Sequence, residues 1–307
     1  MPATSPPHRR FRELLTHRWS GPVLAMAGAV AFSGKAIIVK LAYRHGVDAT
    51  TLIMMRMGVA LPFFLLMVWW AGRGQAPLPW RDRLAAAALG FSGYYLSSYL
   101  DFMGLQHISA SLERLILYLT PAVVLCLSWA LYGRRASARQ WLAMALGYGG
   151  LLLVFGHELH LEGQRVALGA ALVMASTLSY AAYLLYSGEV VKRIGSLRLT
   201  GWASSVACLL CLLQFAVLRP MAGLAAVAAP VWWLSLLNGT ACTVLPVLLV
   251  MMAIERLGSS KAAQYGMVGP ITTIVLGVLI LDEPFTAWIV AGTVCVLGSV
   301  TLLARAR

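Results

Sequence analysis

The chain has 307 residues, of which 60% are hydrophobic and 11% are charged, and its mean hydropathy is +0.78. An ordinary soluble domain carries about 25% charged residues, so this composition excludes that class and indicates a polytopic membrane protein. A net charge of +13 is often a sign of a nucleic-acid partner. Here the basic residues are concentrated in alternate loops between apolar segments, so no nucleic-acid partner is predicted.

Apolar stretches long enough to cross a bilayer recur along the whole chain. About 17 to 25 residues span the hydrocarbon as a helix, which satisfies its own backbone polar groups there. The ten predicted spans are residues 22–43, 50–71, 84–104, 109–132, 140–156, 166–188, 199–218, 230–254, 261–281 and 285–304. The predicted fold class is therefore an all-α polytopic membrane protein with ten transmembrane helices.

The basic residues also predict the orientation of these helices. When the N-terminus is placed in the cytoplasm, most of the 24 Lys and Arg residues fall on the cytoplasmic side. The positive-inside rule therefore predicts that both termini are cytoplasmic. We expect a multi-pass protein of the cell inner or plasma membrane, surrounded by the lipid bilayer, in which the first apolar segment is retained as a helix.

An internal repeat divides the predicted helices into two groups. A shift of 149 residues brings Ser111 onto Ser260 and Pro121 onto Pro270 without gaps. Each half then holds five helices. Because five is odd, the second copy enters the membrane from the opposite side, which is the inverted-repeat topology typical of secondary transporters. The predicted organisation is a cytoplasmic tail at 1–21, a first repeat at 22–156, a connecting loop at 157–165 and a second repeat at 166–304.

Five charged residues are predicted to lie inside the membrane, in the outer half of the first repeat. They are Lys35, Arg56, Asp101, Glu113 and Arg114. The helical rise of 1.5 Å per residue places them at similar depths, where charges are costly if they face lipid. One interpretation is an ion-pair lattice that holds helices together. The other is a substrate or ion site, which is favoured because the charges at 113 and 114 align with alanines in the second copy.

Polar and aromatic residues on the same predicted helices extend the candidate site. The further candidates for contact with a substrate or ion are Tyr94, Ser98, Tyr118, Tyr180, Tyr183, Gln264 and Tyr265. Packing between helices is the alternative role for such side chains. The hinge candidates are Pro121, Pro246 and Pro270, because a proline inside a helix frees the carbonyl four residues before it. A freed carbonyl is tolerated in a membrane where other groups satisfy it.

Motifs for enzymatic or cofactor chemistry are not recognised in the sequence. All five cysteines fall in apolar segments, where they act as small hydrophobes, so no disulfide is predicted. The stretch HELHLE at 157–162 lacks the HExxH spacing of a zinc site, and no GxxxxGK[ST] loop occurs. No metal, no cofactor and no enzymatic activity are predicted, and the sequence carries no signal for an oligomeric state.

The residues resemble a known family. The two five-helix halves, their proline-centred fourth and ninth helices, and the turn Leu281-Asp282-Glu283-Pro284-Phe285-Thr286 are similar to the EamA family of the drug/metabolite transporter superfamily. The resemblance runs from about Val23 to Ala304. The first-half turn departs from the family pattern, because Arg134 and Arg135 stand where a Gly-Glu pair is usual. The resemblance implies a ten-helix exporter of amino acids and other metabolites, driven by gradients rather than by ATP.

These observations together predict a secondary active transporter. We expect it to export small polar metabolites such as amino acids by alternating access, with a small-molecule substrate and a proton as a possible coupling ion. The basic excess of Lys35, Arg56 and Arg114 suits a carboxylate, and Glu113 or Asp101 could pair an ammonium or exchange a proton. A lipophilic cation or drug exporter is the alternative, and a non-transporting membrane scaffold is a further one.

Overall fold

The structure is a computed structural model that describes residues 20–133, 137–162, 164–257, 265, 266 and 268–305. Every regular element in these ranges is a helix. The α-helices are α1 (Ser20–Tyr43), α2 (Ala49–Gly72), α3 (Trp80–Gly90), α4 (Ser97–Leu105), α5 (Ala110–Tyr118), α6 (Thr120–Tyr132), α7 (Ala138–Glu162), α8 (Gln164–Ile194), α9 (Ser196–Leu218), α10 (Ala229–Gly239), α11 (Leu245–Leu257), α12 (Val268–Leu281) and α13 (Ala287–Arg305). The all-helical prediction is confirmed for the described residues.

Two short π-helical turns interrupt otherwise continuous helices. The first, Phe91–Leu96, joins α3 to α4, and the second, Thr240–Val244, joins α10 to α11. A one-turn 3₁₀ helix, Met221–Ala226, precedes α10. A π turn widens the helix and is frequent at functional sites. Both turns lie inside predicted spans that the sequence pattern treats as uninterrupted.

The secondary structure follows the 149-residue repeat. The first π turn begins at Phe91 and the second at Thr240, and the helices that precede them begin at Trp80 and Ala229. All of these starts differ by the shift that aligns the prolines. The two-repeat architecture is therefore present in the backbone as well as in the sequence.

Equivalent turns also end the fourth helix of each half. Gly133, after α6, has a φ of 63°, and Asp282, after α12, has a φ of 60°. Both residues therefore adopt the left-handed conformation at positions related by the repeat. Aspartate is one of the few non-glycine residues that adopt it readily. The next helix then starts five residues later in both halves, at Ala138 and Ala287.

Seven helical segments among the described residues are long and apolar enough to cross a membrane. They are Gly21–Tyr43, Ala49–Gly72, Ala110–Tyr132, Ala138–Leu159, Gln164–Ile194, Ser196–Leu218 and Ala229–Val250, with the shorter apolar helices Val268–Leu281 and Ala287–Leu303. The predicted span at 84–104 is not among them, because polar residues such as Ser97, Ser98 and Asp101 lower its hydropathy. The structure thus supports a multi-pass protein, and the exact number of ten spanning helices stays a prediction.

Helical structure extends into the predicted connecting segment at 157–165. Helix α7 continues to Glu162 and α8 already begins at Gln164. The segment contains no proline that would end the helix. It also has a tertiary anchor, because Glu158 accepts a hydrogen bond from the Ser109 hydroxyl at 2.5 Å. The charged composition of HELHLE, which suggested a loop, therefore reflects a helix end that contacts another helix.

The fourth predicted span, 109–132, is divided at Leu119. Helix α5 ends at Tyr118 and α6 begins at Thr120, with Pro121 in its first turn. A proline disfavours helical continuation before it and cannot donate its own backbone hydrogen bond. The break therefore falls where the sequence predicts a kink.

The buried core joins the two halves. Its largest apolar cluster combines residues of α1, α2 and α4 with residues of α9, including Ala36, Leu52, Phe102 and Cys208. A second cluster centres on α5 and includes Ile274 of α12. Helix α5 is therefore enclosed by both repeats, and charged side chains on it lie in protein rather than in lipid.

Candidate functional site

The centre of the candidate site is Lys35, which lies between two carboxylates. Its Nζ donates to Asp101 Oδ2 at 2.5 Å and to Glu113 Oε1 at 2.9 Å. The three side chains come from α1, α4 and α5 and are only 4%, 4% and 0% exposed. We call Lys35, Asp101 and Glu113 the buried triad. With all three groups ionised, its net charge is −1.

Each carboxylate of the triad keeps one oxygen without a protein partner. Asp101 Oδ1 and Glu113 Oε2 are buried and accept no hydrogen bond from the described residues. A buried carboxylate oxygen that accepts no bond is costly. Both oxygens are therefore available to a proton or to a donor on a ligand.

Arg114 follows Glu113 on α5 and connects this helix to the second repeat. Its Nε donates to Thr273 Oγ1 of α12 at 2.9 Å, and its Nη2 donates to the Phe32 carbonyl of α1 at 3.2 Å. The side chain is 3% exposed. Glu113 and Arg114 do not pair with each other, because consecutive residues on a helix point about 100° apart. These two neighbouring charged residues therefore contact different parts of the protein.

Arg56 makes the corresponding contact from α2. Its Nε donates to Thr243 Oγ1 in the second π turn at 2.8 Å, and its guanidinium lies 5.1 Å from the centroid of the Phe102 ring. The hypothesis that all five charges form an ion-pair lattice is therefore wrong for the arginines. Among the described residues, both bond to neutral oxygens within the second repeat or α1, and only Lys35 pairs with the carboxylates.

The tyrosine candidates form a separate group beside α8. The Tyr94 and Tyr183 hydroxyls are 3.3 Å apart, and the rings of Tyr180 and Tyr183 stack at 5.5 Å. Ser98 is half-buried, whereas its neighbour Ser97 bonds to Ser176 of α8 at 3.0 Å. None of these contacts includes a member of the buried triad. Tyr94 and Asp101 lie on the same predicted span, but their side chains thus have different neighbours.

The candidates on the ninth predicted span are only partly placed. Gln264 lies outside the described residues. Tyr265 is 40% exposed, so it faces away from the enclosed centre. Tyr118 of α5, in contrast, reaches the second repeat, since its hydroxyl donates to the Gly266 carbonyl at 2.6 Å.

The proline candidates have the predicted effect on their helices at two positions. The Leu117 carbonyl, freed by Pro121, accepts from the Thr120 hydroxyl at 2.5 Å. The Gly266 carbonyl, freed by Pro270, accepts from Tyr118. Pro246 lies in the first turn of α11, directly after the second π turn. Their role as hinges during transport remains a prediction.

Two carboxylates that the sequence analysis missed cover the start of α5. Glu283, from the turn after α12, accepts from the Ala110 N–H at 2.6 Å and from the Ser111 hydroxyl at 2.6 Å. Glu158 accepts from the hydroxyl of Ser109, the N-cap residue. A helix N-terminus has free N–H groups and a positive dipole end, so carboxylates bind there favourably. The sequence did contain two relevant features, the N-cap serine before α5 and the acidic residue in the turn after α12. Only the fold shows that these features are in contact.

An open cavity of about 710 Å³ lies beside this cap, at the ends of α1, α4 and α12. It is lined by residues of both repeats, including Arg44, Asp48, Ser109 and Glu283. Arg44 closes one side by donating to the Leu281 carbonyl at 2.7 Å. The cavity therefore has a mixed polar and apolar lining and adjoins the end of the helix that carries Glu113.

The part of the chain that the structure describes contains no set of side chains suited to bind a metal ion. No group of three His, Cys, Asp or Glu side chains is arranged to hold an ion there. The five cysteines are free and buried or half-buried in helices.

The fold and the site together define a multi-pass helical membrane protein with a charged centre enclosed by two repeats. The chain matches the EamA-like transporter family over residues 19–156 and 167–305. It therefore belongs to the EamA-like transporter family, and the resemblance drawn from the sequence is confirmed.

Individual relatives agree with this assignment. The uncharacterized transporter YcbK of Bacillus subtilis (strain 168) is 30% identical over 272 residues, which cover 86% of each chain. The uncharacterized transporter YetK of the same organism is 20% identical over 290 residues, covering 94% of this chain and 88% of that protein. A solved crystal structure aligns with a TM-score of 0.64 over 94% of this chain and 99% of that chain. Its 16% identity supports the fold alone.

Proposed function

We propose that this membrane transporter is a proton-coupled carrier that exports small polar metabolites, such as amino acids, by alternating access. The observation that carries the proposal is the buried triad, in which one lysine side chain donates hydrogen bonds to two carboxylates. The proposal includes ten transmembrane helices in two inverted five-helix repeats. It also places the protein in the cell inner or plasma membrane with both termini in the cytoplasm.

The charge of the triad supports proton coupling. Two buried carboxylates share a single ammonium, so the group carries one negative charge when fully ionised. Among the described residues no second cation is hydrogen-bonded to the triad, and a buried carboxylate oxygen without a partner is costly. Binding one proton to a carboxylate removes that charge, and a free carboxylate oxygen is present on both Asp101 and Glu113. The triad is thus suited to take up and release a proton as its exposure changes.

The contacts between the repeats support alternating access. Arg56, Arg114 and Tyr118 of the first repeat each reach a partner on the second, at Thr243, Thr273 and Gly266 respectively. Each contact is a single hydrogen bond to a neutral group. Such a bond contributes about 1 kcal/mol net between neutral groups and about 1.5–3 kcal/mol where the donor is charged, so each can break and reform as the repeats move. The proline-interrupted helices provide places where the backbone can bend.

The lipophilic cation exporter is less well supported by the same geometry. Such a ligand requires a buried carboxylate that is free to pair with it, next to aromatic side chains. Here both carboxylates bond to Lys35, and the tyrosine group of Tyr94, Tyr180 and Tyr183 contacts neither of them. We therefore favour a small polar substrate.

Transport in proteoliposomes tests the proposal. The purified full chain is reconstituted and loaded with a mixture of labelled amino acids, and efflux is measured with and without an imposed pH gradient. We expect gradient-dependent efflux that Asp101→Asn and Glu113→Gln abolish. Arg193→Gln is the matched control, because it removes an exposed ion pair with Asp82 far from the triad. Efflux that is unchanged by the pH gradient, or by both carboxamide variants, would overturn proton coupling.

A further inference from the structure

Among the described residues, Arg56 is a buried cation that forms no ion pair within contact distance. Its side chain is 5% exposed, and Nη1 has no hydrogen-bond partner among the described residues. Its Nε is satisfied by Thr243 Oγ1, which is neutral. Asp101 attracts it electrostatically, but the Asp101 carboxylate accepts its short hydrogen bond from Lys35. A buried cation is costly when it forms no ion pair and when one of its N–H donors has no acceptor. An anion bound at Arg56 would remove both costs.

The end of α10, directly before the second π turn, carries another buried polar side chain without hydrogen-bond partners among the described residues. Thr243 accepts from Arg56 and donates its hydroxyl to the Asn238 backbone carbonyl at 2.8 Å. The Asn238 side chain is fully buried, and neither Nδ2 nor Oδ1 has a partner in the described part of the chain. A buried amide with no bond at either end is rare in proteins. The free amide and the free guanidinium nitrogen thus belong to residues joined by one hydrogen-bonded chain.

Gly239 explains why the π turn comes so close to Arg56. A Cβ at this position would lie 2.8 Å from the Arg56 carbonyl and 2.9 Å from Val59 Cβ. The end of α10 therefore packs directly against the backbone of α2. This contact brings the residue before Gly239, Asn238, to the same level of the membrane as Arg56.

We infer that Arg56 and Asn238 form a subsite for the carboxylate of the transported substrate, separate from the buried triad. A carboxylate accepts from the guanidinium and from the amide N–H₂, and so satisfies both free donors. Its charge also balances the cluster: the triad contributes −1 and the two arginines +2, so one monoanion brings the five-residue charge set to zero. The inference rests on the proposed function, because the helices around Arg56 must separate to admit a ligand.

The inference assigns different tasks to the two groups. The triad handles the proton, and the Arg56–Asn238 subsite recognises the carboxylate. Substrates without a carboxylate should therefore bind poorly even where their remaining structure is the same. The alternative is that Arg56 only connects to the free Asp101 oxygen through solvent, in which case it has no preference among ligands.

Binding to the purified full chain in detergent tests the inference without requiring transport. The probes are a mixture of L-amino acids, their N-acetyl derivatives, which keep the carboxylate, and their primary amides, which lack it. The measurement is the rise in melting temperature with probe concentration, which gives an apparent affinity. We expect the amino acids and the N-acetyl derivatives to bind and the amides to bind at least about tenfold more weakly, because a hydrogen bond to a charged group is lost.

Substitutions at the two residues of the subsite test whether these residues bind the carboxylate. Arg56→Gln should weaken carboxylate binding by about tenfold or more, and Arg56→Lys should recover part of it, because the charge remains but the two-pronged geometry is lost. Asn238→Ala should weaken binding severalfold and also serves if Arg56→Gln does not fold. Arg219→Gln is the matched control, since this exposed arginine pairs with Asp48. Its affinity should equal that of the parent.

Several outcomes would overturn the inference: amides that bind as well as acids, no probe that binds the parent, or parental affinity in folded Arg56→Gln or Asn238→Ala. Carboxylate binding that depends on Arg56 in a protein that shows no gradient-driven flux would support the subsite and reject proton coupling. Proton-driven flux of substrates that lack a carboxylate, unaffected by Asn238→Ala, would do the reverse.

Discussion

Tyr118 and Gly266 form one hydrogen bond that joins the two repeats where both are interrupted by proline. The Tyr118 hydroxyl donates to the Gly266 carbonyl at 2.6 Å. That carbonyl lacks its usual helical donor because Pro270 has no N–H. That carbonyl still accepts from the Gly269 N–H at 3.0 Å, and Tyr118, three positions before Pro121, gives it a second donor from the other repeat.

Replacing this tyrosine should weaken the association of the repeats. Tyr118→Phe keeps the ring but removes one of the two donors to the Gly266 carbonyl, and we expect a loss of about 0.5–1.5 kcal/mol in unfolding free energy. Tyr186→Phe is the matched control, because Tyr186 is exposed. Chemical denaturation of the purified proteins in detergent measures both. Equal stabilities for the two variants would show that the Tyr118 bond adds nothing.

The pairing of Lys35 predicts which second substitution compensates its loss. Lys35→Met strands two carboxylates, and removal of one partner from a buried pair costs on the order of 3–5 kcal/mol. Adding Glu113→Gln should restore part of the stability, since one stranded charge disappears. Adding Arg114→Gln should not, because Arg114 bonds to Thr273 and Phe32 rather than to the triad. Rescue by Arg114→Gln, measured by thermal unfolding, would contradict this pairing.

The sequence could predict the depth of these charges but not their partners. The rise along a helix depends only on residue number, so the sequence predicts similar depths for Lys35, Asp101 and Glu113, whose side chains the structure brings together. Which groups meet depends on rotation about each helix axis. The first π turn adds to this difficulty, because an extra residue in a turn rotates everything after it by about 100°. Tyr94 thus faces α8 while Asp101 faces Lys35.

The repeat could be predicted more fully than the site, for a physical reason. Prolines and turn residues act on the local backbone, so Pro121 and Pro270, or Gly133 and Asp282, produce similar breaks in both halves. Side-chain contacts across repeats depend on tertiary packing. The bond from Glu283 to the start of α5 joins residues 173 positions apart, and a single sequence carries no record of that distance.

The orientation of the helices gives a prediction that is independent of the site. Reporter fusions in the turns at Gly74 and Gly195 should report the cytoplasm, and a fusion at Gly46 should report the outside, because basic residues concentrate on the cytoplasmic side. All three glycines have a positive φ and lie in turns between helices. A pair of reporters active on opposite sides of the membrane provides the measurement. A cytoplasmic signal at Gly46 would reject the proposed topology.

Glu283 should stabilise the end of α5 that leads to Glu113. Its carboxylate accepts from the Ala110 N–H and from Ser111, and it occupies space left by Gly277, where a Cβ would lie 2.8 Å from Glu283 Oε2. Glu283→Gln keeps an acceptor but loses the charge at the helix N-terminus, an interaction worth about 0.3–2 kcal/mol according to burial. We therefore expect a loss of about 1 kcal/mol in unfolding free energy.

Two further variants separate this cap from a general effect of surface charge. Gly277→Ala leaves Glu283 in the chain but displaces its carboxylate, so it should destabilise the protein as much as Glu283→Gln does or more. Glu189→Gln removes an exposed carboxylate from α8 and should leave stability within about 0.5 kcal/mol of the parent. Combining Gly277→Ala with Glu283→Gln should cost less than the sum of the two single losses, because both act on one contact. Fully additive losses in denaturant unfolding would mean that Gly277 and Glu283 act independently and that the cap is not the shared cause.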